Sequence, residues 1–594
     1  MEETPKPRFV SIRAIGIACA LMPVLALWVV QSELIWYSGH STAISLFFHV
    51  TFVIFVLALL NLLIARRWPA KALTAGEIMT IYMMLAIAGT FCSHDLYQIL
   101  IPMLAYPKYA ANPQNRWDEI ILKHVPAWAI VSEPEALNGL AVGNATLYKW
   151  NVVLAWLRPL GFWYVFLMAL LAALLSINIL LRQPWTEKER LSFPIIQIPM
   201  MLATGLKALL RSKLFWLAFA LAAGIDILDG FNFFYPNLPK IPIVRAFEFR
   251  DYFVERPWNS IAWTTINLYP FVIGLVFFLP TDLAFSCWFF FVVFKLEIVA
   301  TSALGIRDLP RFPFPTEQAA GGYIGLALVA LWLSRRHFRG VWRTVLGRPG
   351  GIDDSAEPAR YRTAVLVLIV STAALVFFGM TLGGSWHFML MFFVIFFLYS
   401  VAIARMRAEL GPPAHDLHFM GPEMLLHNAV GTRALGTGNI TAFSLFFWFN
   451  RAYRAHFSAH SMEGFKIAQL TRIAARAMMW AMIIAILVGS ISGLWATLHA
   501  LYVHGYSGKG AGDAFSQQAW TTRMQPWMTF PQPPQKAAAA ATVFGILFSL
   551  LLGFLRMKFT WWLWHPVGFA TATCWSMEKL WFCLFLGWLA KLLI

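Results

Sequence analysis

Runs of about 20 apolar residues recur along this chain, more than a soluble core absorbs and each long enough to cross a bilayer. Ala43–Ala65, which includes FVIFVLALLNLLIA (Phe52–Ala65), and Ser385–Ala404 (SWHFMLMFFVIFFLYSVAIA) are two of them. Lipid offers no partners for backbone amides and carbonyls, so such runs cross as helices. A barrel would need alternating apolar and polar residues, and these runs do not alternate. Composition agrees: 59% of the 594 residues are hydrophobic and 13% are charged, against about 25% charged in ordinary soluble domains. The expectation is an all-α polytopic transmembrane bundle of about 14 to 16 spans, with broken or re-entrant helices and possible internal repeats. It forms one integral domain over residues 1–594.

The formal charge of +17 sits in particular loops. Lys6, Arg8 and Arg13 precede the first apolar run, Arg66, Arg67 and Lys71 follow the second, and residues 335–362 form a densely basic loop. Positive residues mark cytoplasmic loops, so the N-terminus is expected in the cytoplasm of a multi-pass protein of the cytoplasmic (inner) membrane. Residues 93–150, where acids balance bases, are expected as a large extracytoplasmic loop. No nucleic-acid recognition motif accompanies the charge. The five cysteines are isolated, without a C-x-x-C pair, so neither zinc nor a disulfide framework is expected, and no cofactor is implied. Thr74 and Glu77 fit a capping box that starts the third helix.

Charge inside the apolar runs is the functional signal, because each such group costs about 2.5–3.5 kcal/mol on insertion scales. Lys295 and Glu297 fall within the run that starts near Asp282, and two residues apart they face different ways. Asp226 and Asp229 share a face at a helix end, where they suit protons or cations. Glu187 and Arg190, at three-residue spacing, lie in WTEKERLSFP. Arg405, Arg407 and Glu409 precede Gly411-Pro412-Pro413, which must end the helix; His415, Asp416, His418 and Glu423 follow. A broken helix beside charges is how transporters line a cavity with free backbone groups. H-x-x-H alone does not make a metal site, so these histidines read better as proton-titrating groups. Ile440–Phe449 is too short to span and suggests a broken or re-entrant helix, which makes residues 405–477 a cytoplasmic or re-entrant gating region; Arg451–Arg476 within it is basic and amphipathic. Spans one and six are expected over about Ile12–Val30 and Ile261–Leu279. Arg433, Gly436 and Gly438 precede that helix and form a candidate anion-binding turn. Ordinary helix ends, solvated faces and structural ion pairs are the competing reading of each group.

At TEKERLSFPIIQIPM (Thr186–Met200), RMRAELGPPAHDLHFMGP (Arg405–Pro422) and HSMEGFKIAQ (His460–Gln469) the chain resembles a family of uncharacterised bacterial membrane proteins, itself distantly similar to the oligopeptide transporter superfamily. That resemblance implies proton-coupled import of peptides or metal chelates through about 16 helices. The Asn-Pro-Gly of peptide-carrying members is absent. The expected function is secondary transport of a small polar solute with a coupling ion, proton or Na+, in contact with membrane lipid and as a possible homo-oligomer. A lipid-linked membrane enzyme using His94-Asp95 or Asp118-Glu119 is the alternative, as is a structural subunit of a larger membrane complex.

Overall fold

The computed structural model describes residues 9–306, 309, 311–510 and 512–594, with nothing stated of the side chains of 512–514. Lys6 and Arg8 of the basic N-terminus lie outside the described residues. The fold is all-α, and among the described residues ten helices are long and apolar enough to cross a membrane: this is a membrane protein. Further helices run inside the bundle without meeting that measure. Pro422–Leu445 and Phe457–Thr471 carry too many polar groups, yet much of each is buried.

Local rules place several boundaries. Ser11 caps helix Ile12–Val30, and the Thr74–Glu77 capping box starts helix Ala75–Phe91 as the spacing predicts. The latter helix is buried over nearly its whole length, which fits an apolar helix without a polar face. Helices Pro315–Leu333 and Lys536–Lys558 cross so closely that a Cβ on Gly545 would lie 2.0 Å from the Gln318 carbonyl. Small residues permit such approach in membranes, where dispersion contacts and not water exclusion hold helices together.

Three expectations are corrected. Residues 261–279 do not span: Thr265–Ile266 pairs antiparallel with Phe247–Glu248, and Pro270 opens a helix of only seven residues. Asp226 and Asp229 are not at a helix end, because helix Lys213–Phe234 continues past them and buries none of its residues. The stretch after Arg451 is not a basic surface helix, since Arg451 and Arg454 are buried.

Contacts gather the basic loops at one end of the bundle. Arg13 bridges to Glu77 and the Lys71 carbonyl, Gly76 abuts Ile473, and Phe193 N–H donates to the Ala408 carbonyl. His337 there lies 3.0 Å from the Leu180 carbonyl. At the opposite end Asn144 N–H donates to the Val503 carbonyl, Thr432 N–H to Gln532, and Trp117 to Gln525.

Candidate functional site

Among the stretches of non-helical backbone in the described residues, 92–96, 410–421, 451–456 and 572–576 meet inside the bundle. Each break follows from local chemistry or from burial of a polar run. Gly411-Pro412-Pro413 cannot continue helix Trp386–Glu409, and residues 451–456 follow a helix, Phe447–Asn450, of only four residues.

Asp95 is the hub. Its Oδ2 accepts from Arg454 Nε at 2.7 Å and its Oδ1 from Arg451 Nη1 at 3.2 Å, with a second bond from the Arg454 Nη2. Phe419 N–H donates to the Arg451 carbonyl at 2.8 Å, and Ser576 N–H faces both Asp416 oxygens at 3.4 Å. Aromatic rings wall the cations. The Arg454 guanidinium lies over Trp575 at 5.6 Å, and that of Arg451 over Phe515 at 4.5 Å and Phe419 at 5.3 Å. Beside this nest Glu423 pairs with Arg523 and accepts from Asn450 at 2.7 Å. A cavity of about 40 Å³ lined in part by Asp95, Tyr453 and His456 adjoins it, room for only a few waters. Of the side chains about the nest, Tyr37 is 47% and Phe419 40% exposed.

A second buried pair lies on the basic side of the nest. Arg407 donates to Glu463 through Nη2 at 2.6 Å and Nε at 2.9 Å, and its Nη1 lies 3.3 Å from His415 Nε2. His460 Nδ1 stands 3.5 Å from the other Glu463 oxygen.

The structure therefore divides the residues marked in the sequence. Arg407, His415, Asp416, His418 and Glu423 belong to this interior system. Arg405 and Glu409 stay at the basic rim, where Arg405 also meets Glu189 at 2.6 Å. Glu187 pairs there with Arg182, while Arg190 is exposed. Lys295 does not stand alone in mid-membrane: it packs under the 258–263 segment, meeting the Trp263 carbonyl and Glu578 each at 3.3 Å. Among the described residues Glu297 accepts a 3.4 Å bond from Gln318. Neither joins the nest directly, although Lys579, next to Glu578, lies over Trp575. Asp226 is exposed on its isolated helix, and Asp229 accepts from Ile241 N–H. Arg433 and Gly436 are exposed at the far end. Gly438 serves close packing, since a Cβ there would strike the Gly383 carbonyl. No group of three or more metal-ligating side chains forms among the described residues. Asp118 and Glu119 are solvated, at 70% and 63% side-chain exposure, and pair with Lys108 and Arg116.

Asp95, Arg451, Arg454, Glu463 and Trp575 are the residues whose roles sequence reasoning missed. Two arginines three apart directly after a helix too short to span were the available signal. A comparison with curated proteins found no match. A family model described as a family of unknown function, DUF6785, matches residues 4–594, and the chain belongs to that family.

Proposed function

We propose that this protein is a secondary active transporter, coupled to protons or another cation, that carries a small polar solute across the cytoplasmic membrane. One observation carries the reading: four unwound segments bring Asp95, Arg451, Arg454 and Asp416 together inside a bundle of membrane helices. Irregular backbone at membrane depth is tolerated only where protein or a watery cavity satisfies it. In transporters, broken helices supply the solute and ion sites. The basic end lies in the cytoplasm on this reading, by the positive-inside rule. The Arg407–Glu463–His460 group, between nest and basic end, suits a coupling proton. The resemblance of residues 186–200, 405–422 and 460–469 to a family of bacterial membrane proteins that is itself distantly similar to the oligopeptide transporter superfamily supports the same reading. An enzyme acting through Asp118 and Glu119 is disfavoured by their solvation. Asp95, held by two guanidiniums, is no free base.

Proteoliposome uptake tests it. Amino acids, short peptides, small acids and metal chelates would be offered with and without an imposed proton or Na+ gradient. Gradient-driven accumulation of at least one class is expected. Uptake identical to protein-free liposomes for every class overturns the proposal.

A further inference from the structure

Two guanidiniums, Arg451 and Arg454, hydrogen-bond one carboxylate, Asp95. The other acids nearby hydrogen-bond different partners: Glu423 bonds Arg523, Glu33 accepts from Thr42 and Ser41, and Asp416 faces the Ser576 amide. A buried cation without full compensation is expensive, and an arriving anion relieves that cost.

Arg451 is the group left short. It is 2% exposed, its Nη1 meets Asp95 at 3.2 Å, and its Nε–H has no partner among the described residues. Buried donors in native proteins are nearly always satisfied, so an orphaned one asks for a ligand. Phe419 and Phe515 cover the guanidinium carbon, so a ligand must approach through the remaining N–H groups, the geometry that suits a carboxylate. Phe419 lies between Arg451 and the surface it partly forms. It is 40% exposed and stacks on His418 at 3.9 Å, and its φ of 59° is one that bulky residues rarely adopt. Such strain collects at ligand clamps and switches. His418 Nε2 is likewise buried without a partner.

We propose that Arg451 anchors the carboxylate of a small organic acid, admitted by displacement of the Phe419 ring. The proposal rests on the transport reading only for its biological purpose; binding is measured without transport. Purified wild-type protein in detergent would be unfolded thermally at constant ionic strength with acetate, succinate or benzoate, each against its amide. At least one acid is expected to raise Tm in a concentration-dependent manner while its amide does not. Arg451→Gln is expected to weaken the fitted Kd by at least about tenfold, the loss of a charge-assisted hydrogen bond, and Arg451→Lys by less. If Arg451→Gln does not fold, Phe419→Ala is the second variant, with a change of at least about threefold in Kd expected from loss of the lid contact. No acid effect, equal effects of acid and amide, or an unchanged Kd in the folded variants overturns the proposal. Acid binding without any uptake would break the transport reading alone. Uptake of neutral or cationic solutes by a protein that binds no acid would break this inference alone.

Discussion

Arg405 and Arg407 stand two residues apart on one helix and show how differently charge behaves at the rim and in the interior. Arg405 meets Glu189 and Glu409, whose side chains are 29% and 33% exposed. Losing one partner there leaves another, with water at hand. Arg407 and Glu463 are sealed at 0% and 1% exposure, as is the Asp95–Arg451–Arg454 group. Exposed pairs are worth about 0–1 kcal/mol, whereas removing one member of a buried pair costs about 3–5 kcal/mol because the other is stranded. The comparison separates a rim where charge is cheap from a centre where every charge needs its neighbour.

The contrast breaks most visibly at Asp95. Asp95→Asn strands two guanidiniums and is expected to lower stability by at least about 3–5 kcal/mol, read as collapse of the monodisperse peak or a large fall in Tm. Glu463→Gln, which strands Arg407 alone, should cost about 3 kcal/mol; a Tm within error of wild type would erase the distinction between interior and rim. The smallest effect is expected at the rim, where Glu409→Gln should change stability by less than about 1 kcal/mol. A loss as large as that of Glu463→Gln would show that the rim pair is not relieved by solvent.

Much of the scaffold was legible because its signals are local. The Thr74–Glu77 box and the span Ile12–Val30 need only neighbouring residues to be read. The break at Gly411-Pro412-Pro413 was visible for the same reason. Its destination was not: residues 410–418 turn into the protein instead of lying on its surface, because residues remote in sequence, such as Ser45 and Tyr323, satisfy their carbonyls. Arg451 and Arg454 were misleading in sequence, since a basic amphipathic stretch resembles a cytoplasmic surface helix. Their partner Asp95 lies more than three hundred residues away. Conversely, Lys295 looked anomalous only because the covering 258–263 segment and Glu578 are remote in sequence.

Hydrophobicity and helix-breaking residues act over a few turns, so the sequence by itself determined that this is a helical membrane protein with interrupted helices and a basic end. Pairing of charges depends on which breaks share a depth and face one another, and only the tertiary structure decided that. It brought 92–96, 410–421, 451–456 and 572–576 to one place because a lone charge in the bundle interior is tolerable only beside an opposite one. The arginines that define the centre are therefore explained by a carboxylate contributed from the far side of the fold.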